Sequence, residues 1–307
     1  MVRVLILVVV LAPVPAGIAG SVRSVATPGP IVSIAYDAQR VAYAEGASAD
    51  DCDRVWIWNL QTRGVTKLGR STPCVQTSTG TGIASLALAG GRAIWLHYGG
   101  GNIREWRLFT ATVTAPRPRL LRFVSRDVDE AAPIVVGDGH TSRFGDLLPY
   151  AVDRTVVALR VDGSRRFAWV APARVIALSA FEGEVAVATE DATVTILDAG
   201  GRVLRTERYE APLKSVRLTG TGLLVHRGNR LELRDGSGTR NWRISFSAHL
   251  EDADATRALY RSPGGEIRSL RFTPYTDRPV VLARFARLDG STLVSASGRN
   301  VRVGPFR

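Results

Sequence analysis

Lysine is almost missing from this chain. Of its 40 cationic residues only Lys67 and Lys214 are lysines, and every other is an arginine. With abundant alanine, valine and glycine, that skew is what GC-rich coding produces, so the net charge of +12 is partly a codon effect. No block of five or six basic residues occurs, and pairs such as Arg165-Arg166 are scattered. No aromatic pattern accompanies them, which argues against nucleic-acid binding. A diffuse basic surface instead suits anionic polymers such as cell-wall polyanions or lipid headgroups.

Long apolar runs are equally scarce. The one that exists, residues 4–12, follows the basic start Met1-Val2-Arg3 and is cut by Pro13 and Pro15, too short for a membrane span. It has the form of a secretion signal. Gly17 and Ala19 stand at the −3 and −1 positions, predicting cleavage after Ala19; a second acceptable site follows Ala26, with Ser24 at −3. The expectation is a signal peptide over residues 1–19 and a single domain over 20–307. The mature chain then has no transmembrane span and is secreted or held in the cell envelope. Only two cysteines occur, Cys52 and Cys74. An even pair in an exported chain predicts a disulfide, and a separation of 22 residues suits neither a zinc knuckle nor a redox pair.

Catalytic frames are absent. His97, His140, His226 and His249 share no ligand spacing, and neither a Gly-x-Ser-x-Gly turn nor a His-Glu-x-x-His helix occurs. The glycines at 80–82 and 99–101 have no helix behind them and read as turns rather than phosphate cradles. No catalytic residue, metal or cofactor is expected.

Helical periodicity is missing as well. In its place stand alternating runs of four to seven residues, separated by tight turns. Residues 215–244 make four such runs, turning at Thr219-Gly220-Thr221-Gly222, Arg227-Gly228-Asn229 and Asp235-Gly236-Ser237-Gly238. Links this short permit only hairpins, so the unit is a four-stranded antiparallel meander. Residues 175–206 repeat it, and first strands begin near 31, 83, 133, 174, 213, 248 and 283. Spacings of this size predict an all-β, seven-bladed β-propeller of four-stranded antiparallel blades. Blade three carries a long insertion at 137–147 between its first two strands.

Val55-Trp56-Ile57-Trp58-Asn59-Leu60 and the final Leu288-Asp289-Gly290-Ser291-Thr292-Leu293 resemble a third strand and a first hairpin of WD-repeat proteins. Ala158-Leu159-Arg160-Val161-Asp162-Gly163 with Trp169, and Leu233-Arg234-Asp235 with Gly238 and Trp242, are similar to quinoprotein-dehydrogenase-like repeats. The resemblance covers about residues 31–303 and implies architecture rather than activity. Two departures stand out: Trp58-Asn59 replaces the WD dipeptide, and no adjacent-cysteine pair exists. The chain ends just after a third strand, so the seventh blade needs a fourth. Residues 21–26 are the natural donor, which favours cleavage after Ala19 over cleavage after Ala26.

In such a blade the second-to-third-strand loop and the exit loop open on one face. Cys52 and Cys74 both fall there, as do the longest loops, 46–54, 71–82, 98–102 and 124–132. These carry the candidate docking residues Asp50, Asp51, Asp53, Tyr98, Asn102, Asp127, Asp129 and Glu130. Acid is conspicuous in so basic a chain, but no Asp-x-Asp-x-Asp-Gly frame makes it a calcium loop. The reading is a monomeric, non-enzymatic scaffold for an unknown protein partner. The alternative is a propeller enzyme, or a protein binding a small ligand or carbohydrate in the central channel. First strands offer that channel Ser33, Ser85, Ser179, Thr219 and Asp252. Trp58, Trp106, Trp169 and Trp242 read as blade-packing residues.

Overall fold

A computed structural model describes residues 22–37, 39–46, 54–69, 80–137, 147–210 and 212–306. Among these there is no helix, and the strands form seven four-stranded antiparallel sheets. The N-terminal strand is β1 (Arg23–Ala26). Blade 1 is β2 (Ile31–Asp37), β3 (Arg40–Glu45), β4 (Val55–Asn59) and β5 (Val65–Leu68). Blade 2 is β6 (Gly82–Ala89), β7 (Arg92–Gly100), β8 (Ile103–Thr112) and β9 (Arg119–Asp127). Blade 3 is β10 (Ile134–Val136), β11 (Leu147–Val152), β12 (Thr155–Arg160) and β13 (Arg165–Val170). Blade 4 is β14 (Val175–Phe181), β15 (Glu184–Thr189), β16 (Thr193–Leu197) and β17 (Val203–Arg208). Blade 5 is β18 (Leu213–Thr219), β19 (Gly222–Arg227), β20 (Arg230–Asp235) and β21 (Gly238–Arg243). Blade 6 is β22 (His249–Ala253), β23 (Arg257–Arg261), β24 (Glu266–Arg271) and β25 (Thr276–Leu282). Blade 7 has β26 (Phe285–Asp289), β27 (Thr292–Ser297) and β28 (Asn300–Pro305) from the C-terminus and takes β1 as its outer strand. Each blade begins within two residues of the position read from the repeat.

The turns explain why these segments fold back at once. In blade 4, Glu182 and Gly183 both adopt positive φ (48° and 82°), the geometry that matches the twist of two adjoining strands. At the third-to-fourth-strand turns an Asx side chain recurs. Asn59 Oδ1 accepts from the Gln61 and Thr62 amides, Asp198 Oδ1 from Gly200 and Arg202, and Asp235 Oδ1 from Ser237. Asn59 therefore does what the missing aspartate of the WD dipeptide would do, because the turn needs an acceptor and not a charge.

Inner strands are sandwiched between neighbouring blades and outer strands face water. Accordingly Val175–Phe181 is buried nearly throughout, whereas Val203–Arg208 is exposed at most positions. The core is a ring of seven apolar clusters, one at each blade interface. Trp95 packs with Ile57 between blades 1 and 2, Val187 with Ala158 between blades 3 and 4, and Tyr36 with Val301 between blades 7 and 1. Trp58 and Trp106, in third strands, and Trp169 and Trp242, in fourth strands, lie in or against these clusters, as expected of packing residues.

Closure follows the expected route. β1 pairs antiparallel with β28 in the register Arg23 to Val303 and Ala26 to Asn300. Thr27 extends the join, its amide donating to Arg299 O at 2.8 Å and its hydroxyl to the same oxygen at 3.0 Å.

Candidate functional site

The blades present two unlike faces. First-to-second and third-to-fourth strand turns form the turn face. Second-to-third loops and blade-to-blade connections form the loop face.

On the loop face blade 2 differs from the rest. β7 has 9 residues, β8 has 10 and β9 has 9, against 6, 5 and 6 for the matching strands of blade 4. Three or more extra residues at about 3.3 Å each make this hairpin roughly 10 Å longer than that of blade 4. Of the segments read as loops, 98–100 and 124–127 are strand, whereas 101–102 and 128–132 are loop as expected. Gly99 pairs with Glu105 and Gly100 with Arg104, while Val124 pairs with Trp106 and Asp127 with Ile103. Glycine permits the extension: at φ 130° a Cβ on Gly100 would stand 2.3 Å from the Ile103 carbonyl oxygen.

The projection gathers five of the expected docking residues. Tyr98 lies 5.7 Å from the Trp106 ring, and the Arg104 guanidinium covers both, at 5.1 Å and 5.9 Å. The Thr81 hydroxyl donates to Tyr98 O at 3.0 Å and lies 3.2 Å from His97 Nε2, fixing the root of the tip. The Val128 amide donates to Asn102 O at 2.9 Å, and the Glu130 amide to Asp127 O at 3.1 Å, which clasps the exit loop to the hairpin. Arg126 bridges Asp153 at 2.8 Å and Glu130 at 3.7 Å. Asn102, Asp127, Asp129 and Glu130 are exposed. Further down β9, away from the tip, Leu120 and Phe123 are exposed among arginines, and Arg107 stands 5.6 Å from the Phe123 ring. Arg104 and this apolar stripe escape a reading by loop length, because they sit within regular strands. Arginines set among Leu120, Leu121 and Phe123 are the sequence signal for the stripe, and nothing comparable marks Arg104.

Asp50, Asp51, Cys52, Asp53 and Cys74 lie outside the described residues, as do 1–21 and His140. Among the described residues no group of three His, Cys, Asp or Glu side chains is placed to hold a metal, and no helix is long and apolar enough to cross a membrane.

The central channel is lined by first strands from all seven blades and encloses about 340 Å³. Ser33 and Ser85 line it, as the sequence suggested. Ser179 and Asp252 are instead inter-blade pins. Ser179 Oγ accepts the Leu218 amide at 2.9 Å, and Asp252 Oδ2 accepts the Leu288 amide at 2.6 Å. Thr219 closes its own turn, donating to Gly222 O at 3.0 Å. The charged lining is Arg217, Glu251, Arg287 and Lys214, none of which stands out in the sequence as a channel residue. Glu251 is paired to Arg261 at 3.1 Å and Arg287 at 3.5 Å. Arg217 and Arg287, from blades 5 and 7, both donate to the Glu251 carbonyl of blade 6, at 3.4 Å and 3.1 Å.

This geometry defines a seven-bladed β-propeller, and the structural relatives are of the same kind. Chaetomium thermophilum Raptor superposes with a TM-score of 0.59 at 13% identity, over 92% of this chain and 28% of the Raptor chain. A chain of the mitotic checkpoint complex gives 0.57 at 14% identity, over 99% and 98%. U3-55K gives 0.59 at 12% identity, over 94% and 99%. These are WD-repeat propellers, and at such identity the likeness is one of fold. This chain spans little more than a quarter of the Raptor chain. No protein-family model and no curated protein matches the sequence.

Proposed function

We propose that the chain is a non-enzymatic interaction scaffold that works outside the cytoplasm and docks a protein partner on its loop face. The observation that carries this reading is the blade 2 projection, whose three long strands present Tyr98, Asn102, Arg104, Asp127, Asp129 and Glu130 on one raised edge. Tyrosine, tryptophan and arginine are the side chains enriched in protein interfaces and at their hot spots. The one carboxylate that lines the channel, Glu251, is held in ion pairs, while Asp252 is turned into backbone bonds between blades. Two convergent carboxylates acting as acid and base would need a freer pair.

Export rests on the N-terminal signal and on the pairing of Cys52 with Cys74. Cleavage after Ala19 leaves β1 in the mature chain, and cleavage after Ala26 would remove it. The mature protein therefore starts at Gly20, which intact-mass measurement of exported material reads directly. Such material exposes no reactive thiol until it is reduced. Cys52→Ser lowers stability by about 3 kcal/mol, as expected for a loop of this length.

The docking test is crosslinking of tagged protein in its own cells, with mass spectrometry of the captured peptides. One dominant partner linked to the 98–104 or 124–132 segments is the expected result. Links confined to the turn face would refute the assignment.

A further inference from the structure

On the turn face, the third-to-fourth-strand turns of blades 2 and 3 and the start of β7 enclose a cavity of about 390 Å³. Its floor is made by Thr110 and Ala111, both buried, and its rim carries Arg117, Arg119 and Asp162, all exposed. Among the described residues no large apolar side chain lines it. With Arg92 the lining holds three guanidiniums against one carboxylate, a charge of +2.

Arg92 shows that this charge is not met from within the protein. Its half-buried guanidinium donates only to neutral acceptors: Nε to Val161 O at 2.6 Å, Nη1 to Thr110 Oγ1 at 3.1 Å and Nη2 to Asp162 O at 2.9 Å. The Asp162 carboxylate instead accepts the Ser164 amide at 2.7 Å. Burial first, and then the charge of Arg119, hold the Arg92 pKa below the usual arginine range, and Asp162 offsets them least. Two like charges therefore share one cavity, and a half-buried cation without a counterion is costly. One N–H on each Nη of Arg92 is left over once its three bonds are made. The side chains of Arg117 and Arg119 form no hydrogen bond or ion pair with the described residues.

The rim is also set in place before any ligand arrives. Arg117 stands between Pro116 and Pro118, on a turn tied by reciprocal Thr112–Ala115 amide bonds at 3.2 Å. The Gly69 amide of blade 1 donates to Pro116 O at 3.1 Å and holds the turn from outside. A rigid cationic rim binds without an ordering cost.

We infer that this cavity binds a phosphomonoester dianion, its phosphoryl oxygens on Arg92, Arg117 and Arg119 and the rest of the molecule outside. Two negative charges match the lining, and guanidinium forks fit phosphoryl oxygens in pairs. A carboxylate or a phosphodiester brings one charge and leaves the other unmet. The site lies at the opposite end of β9 from the docking edge and does not rest on it.

Calorimetric titration of the whole chain with phenyl phosphate and with its methyl ester, at about pH 8 and 0.15 M salt, tests the assignment. The dianionic monoester binds about ten- to a hundredfold tighter than the diester, as expected of charged hydrogen bonds. Arg117→Gln and Arg119→Gln each weaken it about tenfold while leaving the fold intact. Asp162→Asn keeps the acceptor for the Ser164 amide and tightens binding, because it removes the opposing charge. Arg299→Gln, at an exposed position on blade 7, deletes the same charge elsewhere and changes nothing. Phosphatidylcholine vesicles carrying phosphatidate, set against vesicles carrying phosphatidylglycerol, distinguish the source. Binding to phosphatidate that Arg119→Gln abolishes places the monoester on a lipid, and binding of phenyl phosphate alone places it on a soluble molecule. Equal affinity for monoester and diester, an Arg299→Gln loss as large as that of Arg119→Gln, or no binding of phenyl phosphate or phosphatidate at millimolar concentration would overturn it.

Discussion

Single side chains in this protein do their work by meeting buried backbone groups. Asp252 is fully buried, and its two oxygens accept the Ala253 amide at 2.9 Å and the Leu288 amide of the next blade at 2.6 Å. Asp252→Ala strands both donors in the interior and costs about 3 kcal/mol, seen as a lower urea midpoint at unchanged slope. His226 is buried on β19, and burial, reinforced by the charges of Lys214 and His249, lowers its pKa to about 4. The unfolded chain then binds a proton that the folded chain refuses. Stability contributed by neutral His226 is complete above about pH 6.5 and is lost as the pH falls toward 4, by about 3 kcal/mol in all. Urea titrations across that range show the loss in the parent, and His226→Gln flattens this part of the slope. Neither role is legible in sequence. Asp252 looks like a channel acid and His226 like any other histidine until burial is known.

Among the elements, β1 and blade 2 depart from the repeat, and each departure has a consequence. β1 covers the edge of β28, whose Val301 and Val303 are buried, and Val25 packs against the same cluster. Removing residues 20–26 opens that edge to other chains. The shortened protein loses about 4 kcal/mol, roughly one for each lost backbone bond, and elutes as oligomers in size-exclusion chromatography. The missing fourth strand could be foreseen because the count of runs ended one short. The reach of blade 2 could not. Gly99, Gly100 and Gly101 carry the composition of a turn, yet two of them are paired in β7. A glycine run permits either state, and the long partner strand β8 decided between them.

Taken whole, the molecule is a ring whose two faces carry different chemistry. The loop face raises an aromatic and arginine-bearing edge over a cationic channel, and the turn face holds an arginine-rimmed cavity between blades 2 and 3. The sequence by itself determined the four-stranded blade, the strand order within it and the strand that closes the ring; the seven sheets of the fold then fixed the count. Alternation with period two and turn residues at regular intervals are local properties, and hairpins join neighbours in the chain. Which face each loop serves also followed from counting strands. Only the tertiary structure decided which polar residues are spent on structure and which face open space. Ser179, Asp252 and Thr219 were taken up by pins and turns, while Arg217, Glu251, Arg287 and Arg119 came to line cavities. Apart from Thr219, whose bond is local, that division depends on contacts between neighbouring blades, 34 residues apart for Arg217 and Glu251, 39 for Ser179 and Leu218 and 36 for Asp252 and Leu288. Desolvation and unmet hydrogen bonds arise only when such distant strands are packed together, and no local pattern records them.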